Sequence, residues 1–501
     1  MKRLVFAVIV VLLLLACPLS PAHAKSRPAI APYMVPPMVP PAATPEIAGY
    51  LDGCWVTAEG GWIVAHLEGT PYEVGFQNGY LTAQSAAYTI ENLYGPPGQV
   101  RRSLVNRIAQ DFIWALVPDE YRQELRGVAD GIRAAGYTQI KLWDVVGLNA
   151  QMDGPAYLSI LPPAAPMSVA KDIVSQAEGL GRCSAFIATG KATADGRPVM
   201  GHESWFPYQL SFTANVMYYV EPARGHDFMY QSWGGCIWSG MDWYENSAGL
   251  LLTETTLADT TYTLEGVPVF VRARKAAQYA TTVDQAVDIL ITRSNGAYSN
   301  EWLIGDATNK IASLQLGGET YDLNTTRSGF FGSCNFAWGP NVRAEQLAAG
   351  YELQPYDPVT ICYARYIRWQ QLEDEYWGDI DAAVGMAMIS DTYDAYLEKE
   401  SPGMRCLCGE PDYHDYTLLE DEQGAWYLPH GSFDGKVCTE KMALNGLRSW
   451  ACWGRGSGHH FDADAFLAAN LWWPSEWSPM ALFGLRTFSD QTTDTWVLLG
   501  D

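Results

Sequence analysis

The chain has 501 residues, a formal net charge of −24 at pH 7 and hydrophobic residues at 48% of its positions. Its length leaves room for two or three domains. Because the sequence has no second linker and no repeat, we expect one large domain with insertions or two closely packed halves. Because this net negative charge would repel phosphate backbones, we expect no nucleic acid among its partners. The sequence has no glycine-rich phosphate loop and no histidine spacing typical of a metal site, so we expect neither a cofactor nor a metal.

The N-terminus has the order of a secretory signal. A basic start, Met1–Arg3, precedes an apolar run over 4–16 and a small-residue site ending at Ala24. The run is too short to span a bilayer. We therefore expect a signal peptide over 1–24 and a mature protein that is secreted or lies in a periplasm or lysosomal lumen. The stretch Leu14-Leu15-Ala16-Cys17 permits an alternative, a lipoprotein anchored at Cys17, and membrane contact is expected only in that case.

Helical patterns follow a Pro-rich tether over 25–45, which has no means of building a core. Thr70 and Pro71 predict the N-cap and first residue of a helix. Apolar positions at helical spacing predict further helices over 101–117 and 119–136. Proline-rich residues from 161 onward then predict a loop that leads to Arg182.

Strand patterns dominate after this loop. Residues 184–189 and 198–202, separated by a turn near Thr193, predict an antiparallel hairpin. Other strands are predicted near 212–220, 249–254, 301–304 and 311–316, and helices over 268–291 and 364–372. Helices followed by a mixture of strands and helices indicate an α+β fold rather than a parallel doubly wound sheet.

The cysteine count suggests disulfides. Of ten cysteines, Cys17 would leave with the signal peptide and Cys183 is set apart below. The even remainder in an exported chain predicts up to four disulfides whose pairing is open; the eight residues are Cys54, Cys236, Cys334, Cys362, Cys406, Cys408, Cys438 and Cys452.

Cys183 stands where the loop meets the first strand of the hairpin. If the bond between Arg182 and Cys183 is broken, the new α-amino group, with a reference pKa of roughly 8, can serve as general base for the thiol of the same residue. No Ser-His-Asp triad is then needed. A cysteine taken alone is more often buried or disulfide-bonded, so the surrounding motifs decide between the two interpretations.

Those motifs resemble the phospholipase B-like proteins and the isopenicillin-N acyltransferase-like family, both N-terminal-nucleophile hydrolases with a four-layer αββα sandwich. The similar stretches, in chain order, are Leu67–Gly79, Gly181–Ala185, Ala188–Pro198, Gly201–Trp205, Asn246–Leu250, Cys334–Phe336, Ala364–Arg368 and Gly431–Val437. They cover nearly all of residues 60–480.

The resemblance implies a role for each matching residue. Cys183 matches the nucleophile and Arg182-Cys183 the autocleavage bond; His202 would tune or orient the thiol. Asn335 matches a side chain that helps to hold the oxyanion. The remaining matches are Asn246, at a second position near the oxyanion, and Arg365, whose charge would favour the thiolate and keep the amine deprotonated.

Taken singly, each of these residues has an ordinary structural interpretation: a core histidine, an asparagine in a turn, an arginine in an ion pair. Two positions also depart from the families' pattern. The aspartate that relatives carry after this strand is replaced by Ser204-Trp205, and Glu203 stands where asparagine is expected.

We therefore expect a self-cleaving zymogen with an N-terminal segment, 46–182, and a catalytic segment, 183–501, that stay associated. The expected activity is hydrolysis or acyl transfer on a linear amide or acyl substrate of small-molecule size. Two alternatives stay open: a phospholipase B-like lipid deacylase, and a secreted binding protein of the same fold without activity.

Overall fold

A computed structural model describes residues 44–95, 98–153, 182–258, 261–350, 356–410, 430–469 and 479–500. The expected signal peptide, Cys17, nearly all of the tether and the predicted loop over 161–181 lie outside the described residues. Within the described part, no helix is both long enough and apolar enough to cross a bilayer.

Fifteen α-helices occur in the described residues. In chain order they are α1 (Pro45–Ala48), α2 (Pro71–Leu81), α3 (Ala83–Tyr94), α4 (Val100–Ile108), α5 (Asp119–Ala134), α6 (Leu142–Asn149), α7 (Tyr208–Ser211), α8 (Val269–Tyr279), α9 (Val283–Ile291), α10 (Pro340–Ala348), α11 (Ile361–Tyr376), α12 (Ala382–Ile389), α13 (Glu440–Leu444), α14 (Ala463–Ala469) and α15 (Pro479–Gln491). A π-helical turn, Ala109–Ile113, and a 3₁₀ turn, Trp114–Leu116, continue α4.

The strands are β1 (Trp55–Glu59), β2 (Trp62–Gly69), β3 (Arg182–Thr189), β4 (Val199–Pro207), β5 (Val216–Pro222), β6 (Phe228–Ser232), β7 (Trp243–Asn246), β8 (Leu251–Thr256), β9 (Asn300–Gly305), β10 (Ile311–Leu316), β11 (Tyr321–Thr326), β12 (Gly329–Ser333), β13 (Tyr393–Asp394), β14 (Lys399–Glu400), β15 (His430–Ser432), β16 (Asp434–Thr439), β17 (Ser449–Trp453) and β18 (Trp496–Leu499).

These strands form two large sheets and a small ribbon of β13 and β14. The larger sheet has the order β1-β2-β5-β6-β7-β8-β9-β10-β11 and is antiparallel except for the parallel pair β2–β5. The smaller sheet has the order β12-β3-β4-β16-β17-β18, with β15 beside the end of β4. Strand β3 of the smaller sheet packs on β8 and β9 of the larger one, so the two sheets face each other.

Helices cover both outer faces. Helices α8 and α9 pack on β7, β9 and β10 of the larger sheet, and α11 and α12 pack on β12, β4 and β16 of the smaller one. The result is a four-layer αββα sandwich, which confirms the predicted α+β fold class. A further pair, α2 and α5, packs beside β2, and glycines at their crossing let the two backbones touch: a Cβ added at Gly75 would lie 1.9 Å from the Glu124 carbonyl oxygen.

The alternation of side chains along β3 explains where the nucleophile candidate points. Ala185 and Ile187 belong to the core between the sheets, whereas Phe186 and Ala188 belong to the core under α11 and α12. Because successive residues of a strand face opposite sides, Cys183 shares the face of Ala185 and lies between the sheets.

Several predicted elements are confirmed. Thr70 caps α2 with a capping box, and β3 pairs with β4 in the predicted antiparallel hairpin. The single helix predicted over 268–291 is wrong: it is two helices, α8 and α9. Ala280 is extended, and Thr282 caps α9 by accepting the Gln285 N–H. The chain therefore turns over residues 280–282.

The predicted disulfides are also corrected. All nine cysteines from Cys54 onward are free thiols. Several have hydrogen-bond acceptors of their own: Cys406 Sγ lies 3.0 Å from the Ser401 carbonyl oxygen, and Cys334 Sγ lies 3.3 Å from that of Cys362. These residues behave as small buried side chains. The even number of cysteines in the sequence says nothing about whether any two of them lie close enough to bond.

Candidate active site

Cys183 is the second residue of β3 and is 3% exposed. Its main chain pairs with Ser204 of β4. Burial, helped by the charges of Asp242 and Glu254, raises the pKa of the Cys183 thiol well above its ordinary value, while Lys436 acts in the opposite direction. The thiol therefore needs a nearby base to become a thiolate.

Asn335 and Arg365 hold the main chain of Cys183. The Cys183 N–H donates to Asn335 Oδ1 at 2.9 Å, and Arg365 donates from Nη1 to the Cys183 carbonyl oxygen at 2.7 Å and from Nη2 to Asn335 Oδ1 at 3.1 Å. Asn335 reaches this position with a left-handed φ of 65°, a conformation that asparagine tolerates better than most residues. Asn335 thus holds the nitrogen of Cys183, and Arg365 holds its carbonyl oxygen.

Arg365 lies on the far side of β3 from the thiol. It is fully buried on α11, with its guanidinium 4.3 Å from the centre of the Trp205 ring. It also donates to Ser184 Oγ at 3.2 Å. Arg365 therefore contacts the carbonyl group of Cys183 and not its sulfur, and its predicted effect on the thiolate stays a prediction.

A carboxylate faces the thiol from the larger sheet. Asp242 Oδ2 lies 4.0 Å from Cys183 Sγ, at the residue before β7. Burial raises the pKa of Asp242 to about 6, opposed by a hydrogen bond from Glu254 and by the charge of Lys436. Glu254 is itself held by the Tyr298 hydroxyl at 2.8 Å. Asp242 thus brings a carboxylate to the thiol from the larger sheet.

His202 lies on the same face of β4 as Ser204. One donor atom each of Cys183, His202 and Asp242 lie within 4.8 Å of one another. The Nε2 atom of His202 is 3.1 Å from the Glu254 carbonyl oxygen. Because a carbonyl oxygen can only accept, Nε2 carries the proton and Nδ1 is an acceptor without a hydrogen. Burial and the charge of Lys436 lower the pKa of His202 well below its ordinary value, so the ring is neutral.

A buried ion pair supports this face. Lys436 Nζ lies 2.8 Å from Asp434 Oδ1, and both side chains are fully buried. Lys436 also donates to Ser204 Oγ at 2.9 Å and to Gln231 Oε1 at 2.7 Å. The pair as a whole carries no net charge, and its ammonium group is the end that contacts Ser204.

A narrow recess of about 30 Å³ reaches the thiol, room for a water molecule. Its lining is largely apolar: Met152, Trp205, Phe206, Met241, Tyr298 and Phe433 contribute, together with Cys183, Ser204, Gly240, Asp242 and Thr256.

Glu203 points away from the thiol. Its partner across the hairpin is Ser184, on the opposite face from Cys183. Burial raises the pKa of Glu203 well above its ordinary value, with Asp434 and Glu410 adding to the effect. A glutamic acid that stays protonated is neutral, as the expected asparagine would be.

Asn246 is not brought to the site, and its predicted role near the oxyanion is corrected. Its side-chain amide donates to the carbonyl oxygens of Ala277 and Ala280, both at 2.8 Å, and its own N–H donates to the Leu250 carbonyl oxygen at 3.0 Å. Its side-chain oxygen accepts from Ala248 and Leu250. Asn246 therefore ties the β7–β8 turn to the end of α8 and has no donor left for an oxyanion.

Sequence reasoning missed Asp242, Glu254, Lys436 and Asp434. Each lies far along the chain from Cys183. Asp242 and Glu254 lie outside the similar stretches, whereas Asp434 and Lys436 lie within Gly431–Val437 but were given no role there. One signal was present: the hairpin register places His202 and Ser204 on the face of Cys183, so residues of β16 beside them were candidates.

The donor set Cys183, His202 and Asp242 has the chemistry of a zinc ligand set. These three residues are the ones at this site that could hold a metal. As free groups they supply a thiol, a bare imidazole nitrogen and a carboxylate of raised pKa.

Cys183 thus lies at the head of a strand and faces the space between the sheets of an αββα sandwich, with its nitrogen held by Asn335. The chain belongs to the phospholipase B family, whose model matches residues 63–320.

An uncharacterised protein of Archaeoglobus fulgidus is 31% identical over 265 residues, a match covering 50% of this chain and 42% of the relative. The chain thus matches less than half of that relative's length.

Among solved structures, the chain is similar to a penicillin V acylase from Agrobacterium tumefaciens, at 12% identity and a TM-score of 0.30, over 54% of this chain and 83% of that one. It is also similar to a variant of the conjugated bile acid hydrolase from Clostridium perfringens, at 12% identity and a TM-score of 0.32, over 54% and 89%. The substrates in the names of those enzymes are not carried over to this chain. The αββα architecture of this chain follows from its own two sheets and the helices on them.

Proposed function

We propose that this protein is an autoproteolytic hydrolase that uses Cys183 as an N-terminal nucleophile on acyl bonds. The observation that carries the proposal is the hydrogen bond of 2.9 Å from the Cys183 nitrogen to Asn335 Oδ1. In the uncleaved chain this nitrogen belongs to a peptide bond; after scission it is the amine that acts as base. The asparagine already holds that atom, and a carboxylate faces the sulfur on the other side.

Scission begins with proton transfer from the Cys183 thiol to Asp242, 4.0 Å away. The thiolate attacks the carbonyl carbon of Arg182, a C–S bond forms, and the C–N bond to Cys183 breaks as its nitrogen takes up a proton. Water then hydrolyses this thioester. The products are a carboxylate at Arg182 and a free amine at Cys183.

Turnover repeats the chemistry on a substrate. The amine of Cys183 accepts the thiol proton, the thiolate attacks the acyl carbon, and the ammonium returns the proton to the leaving group. Asn335 fixes the amine, and Arg365, one hydrogen bond further away, disfavours the protonated amine by charge repulsion. Water or an amine then releases the acyl group, so ping-pong kinetics are expected.

Two substrate classes fit the proposed chemistry: linear amides and the acyl esters of lipids. The recess, about 30 Å³, holds no more than a water molecule, so either acyl chain would have to lie outside it or widen it against its apolar side chains (Met152, Phe206, Met241, Phe433). Membership of the phospholipase B family favours a lipid deacylase as the second candidate. N-acyl amino acids, penicillins, N-acyl lipids and phospholipids, assayed side by side, separate the two.

The decisive test is N-terminal sequencing and intact-mass measurement of the purified protein. We expect a chain that begins at Cys183 in the wild type and only the uncleaved chain in Cys183→Ala. Cys236→Ala, which removes another fully buried thiol, should be processed like the wild type. The proposal is contradicted if Cys183→Ala is processed like the wild type. It is also contradicted if the cleaved protein turns over no acyl substrate, and that result would favour a binding protein without activity.

We further propose that the protein is exported. The basis is the signal-like order of residues 1–24. Mass spectrometry of the mature N-terminus distinguishes cleavage after Ala24 from a diacylglyceryl group on Cys17, and an unprocessed Met1 would contradict both.

A further inference from the structure

Three side chains meet at the ends of β2 and β5, outside the site just described. They are His66 and Glu68 of β2 and Glu221 of β5. One donor atom from each lies within 4.8 Å of the others. His66 Nε2 is 3.8 Å from Glu68 Oε2 and 3.9 Å from Glu221 Oε1. The proposed hydrolase chemistry uses none of them.

The strand register sets this cluster. His66 and Glu68 are two residues apart on one strand and share a face, and the parallel pairing puts Glu68 directly beside Glu221. Like charges in such positions are destabilising unless something neutralises them. Among the described residues, no lysine or arginine forms an ion pair with either carboxylate.

Two of the three donors are held in position by the surrounding structure. The His66 ring, with a side chain only 7% exposed, stacks on Trp55 at 5.4 Å and 9°. Gln77 brackets the main chain of Glu68, accepting its N–H at 2.8 Å and donating to its carbonyl oxygen at 2.9 Å. The Glu68 carboxylate lies over Gly53, where an added Cβ would be 1.8 Å from Oε1. A side chain at position 53 would therefore displace this donor.

The donor set is one imidazole nitrogen and two carboxylate oxygens. Zinc binds such donors at about 2.0–2.2 Å, so tetrahedral ligands lie roughly 3.3–3.6 Å apart. The observed spacings of 3.8 and 3.9 Å need a closure of only a few tenths of an ångström. The carboxylate side chains, 42% and 52% exposed, leave the cluster open to solvent.

We propose that His66, Glu68 and Glu221 bind a divalent cation of the zinc type, with water in the remaining position. The cation neutralises the two adjacent carboxylates and links β2 to β5. If scission occurs after Arg182, β2 and β5 belong to different chains, so the cation bridges them; this second consequence rests on the proposed function, whereas binding itself does not.

The test uses the full chain carrying Cys183→Ala, which stays uncleaved and removes the thiol of the second donor set. Calorimetric titration with Zn²⁺ and elemental analysis should give one bound equivalent. Adding Glu221→Gln should weaken binding at least tenfold, since it removes a ligand charge. Glu265→Gln, the same change at an exposed position outside the cluster, should leave the affinity unchanged.

Cobalt substitution identifies the ligands. Co²⁺ in this site should give visible d–d bands without the near-ultraviolet charge-transfer band of a thiolate. Unchanged affinity in Glu221→Gln, no bound equivalent, or a thiolate band that points to Cys54 or another cysteine would each overturn the proposal.

The bridging consequence has its own readout. In the cleaved wild type, Zn²⁺ should raise the urea concentration at which the two chains separate, relative to EDTA, and Glu221→Gln should abolish the difference. If the wild type is never cleaved but Zn²⁺ binds, the proposed function fails and the metal site stands. If cleavage occurs and Zn²⁺ does not bind, only the metal site fails.

Discussion

The two faces of the β3–β4 hairpin carry different kinds of groups. The inner face presents Cys183, His202 and Ser204 to the carboxylates of the larger sheet. The outer face presents Ser184, Glu203 and Trp205 to Arg365 and the helical layer. Groups on the inner face can exchange protons with the thiol, whereas groups on the outer face reach only the main chain of Cys183 or stay neutral.

Under the proposed function, this difference separates catalytic residues from positioning residues. Asp242 belongs to the first kind because its carboxylate faces the sulfur. Arg365 belongs to the second because it acts on the Cys183 carbonyl oxygen and on Asn335. Glu203 belongs to neither, although it lies next to His202 in sequence. Three substitutions test this ranking.

Asp242→Asn should have the largest effect. An amide cannot accept the thiol proton, so the rate of scission should fall at least about a hundredfold. In the wild type the rate should rise with pH through about 6, the pKa to which burial raises Asp242, because the carboxylate must be ionised; the variant should lose this step. Time courses of precursor consumption from pH 4.5 to 8 measure both.

Stability provides the control for Asp242. Its folded pKa lies above the ordinary 3.8, so the folded state binds the proton more tightly and loses stability as pH rises between the two values. Removing the charge should therefore not lower the melting temperature at pH 7. Glu245→Gln, another buried acid with a pKa raised to about 8 by burial, should cleave normally; slow cleavage there would mean that any buried carboxyl matters.

Arg365→Lys should have an intermediate effect. Lysine keeps the charge but lacks the planar fork that holds the Cys183 carbonyl oxygen and Asn335 together. We expect kcat/KM to fall about ten- to a hundredfold, mainly through kcat, with the acid side of the pH profile little displaced because the positive charge is kept. Steady-state kinetics on the cleaved fraction across pH measure this.

Arg368→Lys is the matched variant for Arg365. It alters the same kind of group on the same helix, where Arg368 pairs with Asp391 at 2.7 Å. It should leave kcat and the pH profile unchanged. An equal loss in both variants would assign the effect to the stability of α11 instead.

Glu203→Gln should have the smallest effect. Since burial raises the pKa of the Glu203 carboxyl well above its ordinary value and so favours the neutral form, glutamine replaces it with a neutral group of similar shape. We expect kcat/KM within about twofold of the wild type and an unchanged pH profile. A displaced profile would show that Glu203 is ionised and that the outer face does influence the thiol.

Much of the fold could be predicted from periodicity. The hairpin, α2 with its cap and several strands follow from patterns only a few residues long. The four-layer arrangement was expected only from family resemblance, because sheet pairing is set by contacts far apart in sequence. Helix α8 and helix α9 were merged because apolar spacing continues across Ala280, and Thr282 was not recognised as a cap.

The candidate site was predicted in part. Cys183, His202, Asn335 and Arg365 do come together, but Asn246 does not, since a motif match does not reveal that its amide is already bonded to α8. Asp242 was missed because it adopts a left-handed turn, with φ of 58°, 59 residues beyond Cys183. Lys436 lies within the similar stretch Gly431–Val437, but its role was missed because its contact with Ser204 spans 232 positions.

The parallel pairing of β2 with β5 has a consequence for how the protein assembles. These strands pair over seven positions, from Ile63–Val216 to Gly69–Pro222, and the proposed scission falls between them in sequence. Before scission, folding is unimolecular; afterwards, reassembly from denatured chains depends on their concentration. Self-cleavage would thus turn a reversible fold into one whose persistence is set by its rate of unfolding.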